Sequence, residues 1–285
     1  MLKGVIAGGT APVITVCTLP VGFRPSKDLI FQTASNDAPS RIDITVNGVV
    51  QIVRGSAAWV TLDGISFVAS TAPHVWTPIT LTPANNWVNF GAPYSDLQST
   101  KDGLGRVHIQ GVVKNGAYTP NGISVGTITA AHRTTQYTHF PAASNPTFNY
   151  TGVSSSTIDA KGINGTSYYS LMAMYYPAGS AGWTGLTLQS SWAPFDAGTH
   201  TTPAYIKHAD GIVSVKGLIK NGNTAVDSVI ARLPVGSRPK ETLVIHGVAW
   251  GAYSRLDVQP DGDIIVVAAN SGWTSLDAIT FIAEQ

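Results

Sequence analysis

The strongest constraint in this sequence is an internal repeat. Trp273-Thr274-Ser275-Leu276-Asp277-Ala278-Ile279-Thr280-Phe281 is matched almost position by position by Trp59-Val60-Thr61-Leu62-Asp63-Gly64-Ile65-Ser66-Phe67. Upstream of each, Leu19-Pro20-Val21-Gly22-Phe23-Arg24-Pro25 answers to Leu233-Pro234-Val235-Gly236-Ser237-Arg238-Pro239. Both pairs share one offset, 273 − 59 = 214 and 233 − 19 = 214. Unrelated coincidences do not share a spacing, and self-similarity at a fixed period marks a chain built from repeated structural units. A third copy lies between them. Gly105-Arg106-Val107-His108-Ile109-Gln110-Gly111-Val112-Val113-Lys114-Asn115-Gly116 parallels Gly211-Ile212-Val213-Ser214-Val215-Lys216-Gly217-Leu218-Ile219-Lys220-Asn221-Gly222, with 217 − 111 = 106, about half of 214. Trp183-Thr184-Gly185-Leu186-Thr187-Leu188 resembles the Trp-led closing strand. On that alignment the middle copy is the longer one (183 − 87 = 96 against 273 − 192 = 81), and the extra residues fall in 133–159. The expectation is three repeats, the first incomplete, over residues 1–70, 79–189 and 192–285.

The composition decides what the repeats are made of. Charged residues are 12%, Gly 29 and Pro 17 punctuate the chain, and Thr, Val, Ile, Ser and aromatics fill the gaps, which is strand composition. In the last copy Ala204-Tyr205-Ile206-Lys207-His208 leads to Asp210-Gly211, a favoured hairpin turn because glycine accepts positive φ. Ile212 to Ile219 alternates over its first half, Asn221-Gly222 turns, and further strands run over 226–233, 243–245, 255–259 and 264–268 before the Trp273-led one. Asp261-Gly262 has Asn47-Gly48 as its counterpart in the first copy (262 − 48 = 214). About seven strands per copy with no 3.6-residue periodicity predict an all-β chain of tandem antiparallel β-sandwiches.

The first copy lacks its beginning: 217 − 192 = 25 residues separate the opening Trp from the Lys-Gly pair in the last copy, whereas Lys3-Gly4 stands next to Met1. Either the sequence starts inside a longer protein or another chain supplies the strand, since a sandwich without its first strands exposes an unpaired edge. Short connectors at 70–74 and 189–191 predict sandwiches held in near-fixed file. A net charge of +1 gives no reason to expect nucleic acid. No window approaches a membrane span of about 18 apolar residues, and the N-terminus does not read as a signal peptide. The single Cys17 excludes an internal disulfide and, in its apolar run, is expected to be a buried thiol.

The repeated residues resemble a module of bacteriophage tail fibres and minor tail proteins. The resemblance rests on Leu19 to Pro25, Arg41-Ile42-Asp43-Ile44 with Asn47-Gly48, and Trp59 to Phe67. It extends to the same order in the last copy, preceded by Asp210 to Gly217, and to the ends of the middle one. It implies an elongated, homotrimeric virion tail protein acting outside the host cell, with other tail proteins and a host cell-surface polysaccharide as partners.

Catalytic motifs are weak. Gly122-Ile123-Ser124-Val125-Gly126 spells a hydrolase elbow, but Asn121-Gly122 before it is a turn and Thr127-Ile128-Thr129 after it continues as strand, where the elbow needs strand then helix. His132 and His139 lie seven apart and read better as solvated or core-edge histidines than as metal ligands. Asp63 with Asp277, and Arg41 with Arg255, recur at the same offset, which reads as a structural ion pair or turn hydrogen bond rather than a glycosidase's two carboxylates. No enzyme activity and no cofactor are expected. Trp59, Trp183 and Trp273, heading a strand in each copy, read as packing. A sugar site is sought instead where the copies differ. The aromatics of the middle copy (Tyr137, His139, Phe140, Phe148, Tyr150, then Tyr168, Tyr169, Tyr175, Tyr176) supply one candidate surface, with alternation sending half of them into the core. His246, Trp250 and Tyr253 form a second. The candidate ligand residues are therefore Tyr137, His139, Phe140, Tyr150, Tyr168, Tyr176, Trp250 and Tyr253. A structural tail or baseplate spacer and a polysaccharide-degrading tail enzyme are the alternatives.

Overall fold

The computed structural model describes residues 1–285 except 9–12, 72–73, 118, 120–121, 145–148, 163–166, 178–179, 197 and 285. Phe148, Asn121 and part of the 70–74 connector lie outside the described residues. The chain is all-β with antiparallel pairing between its strands, in sandwich-like layers.

The last copy shows the plan. One sheet holds Thr184–Gly185, Ala204–Lys207, Ile212–Lys216 and Thr280–Ile282; the facing sheet is seven-stranded around Leu243–Ala249, Ala252–Val258 and Asp263–Ala268. Val213, Val215 and Phe281 of the first sheet close over Ile219, Ile230, Ile245, Leu256 and Val266 of the second. Alternation places these apolar residues on the inner faces, and each fully buried Val, Ile or Phe contributes about 1.5–3 kcal/mol relative to exposure. The strand expected over 212–219 changes sheets at Gly217, whose φ is +137° and where an added Cβ would lie 2.6 Å from the Pro203 Cα. Gly111 makes the same switch in the middle copy, 2.4 Å from the Leu97 Cα. The Leu-Pro-Val-Gly-x-Arg-Pro motif also acquires a physical role. Arg24 Nε donates to the Leu19 carbonyl and Arg238 Nε to that of Leu233, each at 2.9 Å, closing the turn.

The middle copy corrects the sequence alignment. Thr184–Gly185 pairs with Ala204–Lys207, so Trp183 to Leu188 opens the last sandwich and does not close the middle one. The middle copy closes through Tyr169–Ser170 and Ala173–Tyr175. The amides of Leu171 and Leu276 bind the carbonyls of Gly111 and Gly217 alike, at 2.9 and 2.8 Å. With Tyr168 as the counterpart of Trp273, the spacing is 168 − 87 = 81 and 273 − 192 = 81. The extra length in 133–159 therefore disappears: Thr138–Ser144, Asn149–Val153 and Thr157–Gly162 are framework strands, counterparts of Leu243–Ala249, Ala252–Val258 and Asp263–Ala268.

In the first copy Ile14–Thr18, Val49–Arg54, Ala38–Ile44 and Leu29–Ser35 form one sheet and Val5–Ile6 pairs with Val60–Thr61. Cys17 is exposed, contrary to expectation, because the register of its strand shifts between Thr15 and Cys17 and turns the thiol outward.

The copies are not strung in series. The homologous strands Leu29–Ser35, Thr138–Ser144 and Leu243–Ala249 all touch one another, and the contacts repeat cyclically at equivalent positions Ile30, His139 and Val244 (244 − 30 = 214; 244 − 139 = 105). Asp63 accepts the Val244 N–H at 2.9 Å, Asp277 accepts the His139 N–H at 2.8 Å, and Ser170 Oγ donates to the Ile30 carbonyl at 2.8 Å. First copy holds third, third holds second, second holds first: a pseudo-threefold ring within one chain. Short connectors constrain distance but not direction, which is why they suggested a file.

Candidate functional site

Each junction of the ring carries a second equivalent contact. Arg41 lies 4.9 Å from the Tyr168 ring and Arg255 4.9 Å from the Trp59 ring, while Tyr150, at the equivalent position of the middle copy, meets Trp273 edge-on at 5.7 Å. The recurring arginines pair with Asp43 and Asp257, each two residues on, and not with Asp63 or Asp277 as the repeat pattern suggested. Asp63 and Asp277 instead take backbone N–H groups: Gly4 at 2.7 Å and Gly217 at 2.9 Å, besides the junction amides. The junction of the second and third sandwiches departs furthest from the common pattern.

The Thr138–Ser144 strand and the residues leading into it divide that junction in two. Gln136, Thr138 and Phe140 face a cleft also lined by Tyr176, Trp183, Ser214 and Lys216. Tyr176 stacks on His208 (4.6 Å, 6°) and meets Trp183 edge-on at 5.3 Å. Lys216 Nζ sits 4.2 Å from the Trp183 ring, a cation–π contact. Burial pushes the Lys216 ammonium and the His208 imidazole down and the Tyr176 phenol up. Among the described residues Asp277 is the one acidic residue lining the cleft; burial raises its carboxyl, and its oxygens already accept from Gly217, His139 and Thr201. The cleft thus combines aromatic faces, hydroxyls, an amide and an ammonium.

On the opposite side Tyr137, His139 and His200 stack (Tyr137 to His139 5.7 Å, His139 to His200 5.7 Å), with Trp273 5.4 Å from His139. The Tyr137 hydroxyl donates to Asp159, and Lys161 Nζ lies 4.7 Å from the Tyr137 ring. Burial first, then Lys161 and His200, push His139 down to about 3, so its ring stacks neutral. This side works as packing between sandwiches.

Of the residues singled out from the sequence, Tyr137, His139 and Tyr150 are brought together, and Tyr176 lies in the cleft. Trp250 stands 60% exposed at a left-handed turn, its ring where a Gly272 Cβ would be. A Cβ built on Gly251 of that turn would lie 3.8 Å from the Tyr150 ring. Tyr253 is half-buried against His246 at 5.1 Å. Phe140 and Tyr168 are buried: Phe140 reaches the cleft only as part of its wall, and Tyr168 is covered by Arg41. Sequence reasoning missed Gln136, Trp183 and Lys216 as cleft residues. The signal was present: Trp76-Thr77-Pro78-Ile79-Thr80-Leu81 aligns with Trp183-Thr184-Gly185-Leu186-Thr187-Leu188, which makes Trp183 an opening residue. Ser124 lies within the Ile123–Thr127 strand, against Thr82, rather than on an elbow. His132 bonds Ser99 Oγ, apart from the His139 stack. Among the described residues no group of three His, Cys, Asp or Glu could hold a metal ion.

Comparison with known proteins adds no family: no family model, curated protein or solved structure matches the chain.

Proposed function

We propose that this chain is a receptor-binding protein of a phage-type tail that attaches to host cell-surface saccharide through the cleft between its second and third sandwiches, without an enzymatic step. The observation that carries the reading is the meeting of Tyr176, Trp183 and Lys216 in one cleft with Gln136, Thr138 and Ser214. A sugar ring offers an apolar C–H face for an aromatic and hydroxyls for amide, hydroxyl and ammonium partners. The resemblance of the repeats to tail-fibre modules supplies the biological setting. In this reading the protein acts in the virion tail beside other tail proteins, and a homotrimer multiplies weak single-site binding. The internal pseudo-threefold ring favours one variant of it, in which a single chain fills a threefold position; light scattering separates a mass of 29.9 kDa from three times that.

The test is a glycan array of host-wall polysaccharides probed with the intact chain, Trp183→Ala, Lys216→Ala and, as a surface control, Trp250→Ala. Binding lost in the first two and kept in the third supports the cleft. Silence of the intact chain across the array supports a spacer, the reading that the aromatic packing between sandwiches favours. Release of reducing ends supports a tail enzyme.

A further inference from the structure

We propose that the saccharide taken by the cleft between the second and third sandwiches is an acidic one, its carboxylate or phosphodiester set against the Lys216 ammonium; the inference rests on the saccharide reading above and narrows it. Lys216 ends the Ile212–Lys216 strand just before the sheet switch at Gly217. Its Nζ is held 4.2 Å from the Trp183 ring. Among the described residues it donates no hydrogen bond and enters no ion pair. Asp277 in the cleft wall acts on it only at a distance. Both Asp277 oxygens are already taken: Oδ1 accepts from the Gly217 N–H and Thr201 Oγ, Oδ2 from the His139 N–H and Ser275 Oγ.

The repeat shows that the framework does not ask for a cation here. The equivalent residue of the second sandwich is Gln110 (216 − 110 = 106), whose amide donates to Ser95 Oγ at 3.2 Å. The counterpart of Ser95 is Thr201 (201 − 95 = 106), and its hydroxyl has turned to Asp277 instead, at 3.1 Å. The third sandwich has exchanged a satisfied amide for an ammonium whose local acceptor is engaged elsewhere. A ligand settling on Trp183 takes water from that ammonium, and a buried charge is costly unless it is paired. A neutral sugar supplies a hydroxyl but no counter-charge. A carboxylate or phosphodiester supplies both, through a charge-assisted bond about twice as strong as a neutral one. The other groups fit an anion. Burial pushes the Tyr176 phenol up and keeps it an O–H donor, and Ser214 and Thr280 add hydroxyls to the wall. Nearby Arg106 is paired with Asp102 and Asp210, so among the described residues Lys216 is the cation the cleft offers. The whole chain carries only +1, so a preference for acidic chains would come from this contact and not from a long-range field.

The test prints glycans in matched pairs: uronate chains beside their methyl esters, and phosphate-bearing wall polysaccharides beside the same chains dephosphorylated with hydrofluoric acid. The intact chain should bind the acidic member of a pair about tenfold or more tightly than its neutral partner, and the pair that shows it tells carboxylate from phosphate. Lys216→Gln, which copies the second sandwich, should bind both members alike, and Lys216→Arg should keep the difference. Equal affinity of the intact chain for both members of every pair would overturn the inference, while binding that still depends on Trp183 would leave the saccharide cleft standing. A preference undiminished in Lys216→Gln would overturn it too. No binding to any glycan would remove both readings. The paired comparison is made on the intact chain, so it decides whether or not a variant folds.

Discussion

Asp277 of the third sandwich holds His139 of the second through a 2.8 Å hydrogen bond from the His139 backbone N–H. The same carboxylate accepts Gly217 N–H at 2.9 Å, tying its own sheet switch to the junction. Asp63 does both for the first sandwich and the third. The middle copy has Met172 at this place (277 − 172 = 105). Asp277→Met transplants that solution into a site whose amides stay buried and lose their acceptor. A loss of about 3 kcal/mol or more is expected, read as a lowered urea midpoint. An unchanged midpoint would mean that the junction does not depend on the carboxylate.

The pH dependence follows from the buried histidines. His139 and His246 are both pushed from 6.5 down to about 3, by burial first. The unfolded chain takes up their protons near 6.5 and the folded chain does not until about 3. Their contribution to stability is therefore complete above pH 6.5 and lost as pH falls toward 3, on the order of 4 kcal/mol for each. Asp43, Asp257 and Asp277, raised by burial, work in the opposite direction. A His139→Gln comparison isolates one ring: its stability should fall less steeply than that of the parent between pH 6.5 and 3.

Gly222 and Gly116 mark where a Trp ring lies against the backbone. A Cβ on Gly222 would be 1.8 Å from the Trp192 ring, and one on Gly116 2.0 Å from the Trp87 ring. Both rings are buried, so neither can yield without repacking a core. Gly222→Ala should cost about 2–4 kcal/mol by overpacking. Gly185→Ala, with open space around its position, should stay within about 0.5 kcal/mol.

Arg255 joins its own Asp257 at 2.7 Å to Asp37 of the first sandwich at 2.5 Å, above Trp59. Asp37 is 57% exposed and its share is small; Asp257 at 9% is not. Arg255→Ala should cost about 3 kcal/mol, mostly from leaving Asp257 buried without its cation. The Arg255→Ala, Asp257→Asn double variant should recover part of that loss in a double-mutant cycle. Equal losses for the single and double variants would place the effect in the Trp59 stacking.

Much of the strand order was legible because turn chemistry is local: Asp210-Gly211, Asn47-Gly48 and Asp261-Gly262 sit at turns with positive-φ glycines. The 214-residue register placed strand on strand between the first and third copies. The middle copy misled because two Trp-led hexapeptides, one opening and one closing a sandwich, look alike as text. Within the site, alternation warned that half the aromatics were core, yet it could not tell Tyr137 and His139, which stack between sandwiches, from Tyr176, which lines a cleft.

The sequence alone determined what is periodic and local: the all-strand character, the repeat, the turns and the glycines where the chain must bend. Tertiary structure decided everything that depends on one copy meeting another. The closing of Ile30, His139 and Val244 into a ring, the seating of Arg41 on Tyr168, and the arrival of Trp183 beside Tyr176 were its decisions. The reason is physical. A strand's inward and outward faces follow from its own period of two, but which surface it presents to a neighbouring sandwich depends on hydrogen bonds between residues more than a hundred positions apart, and no local pattern records those.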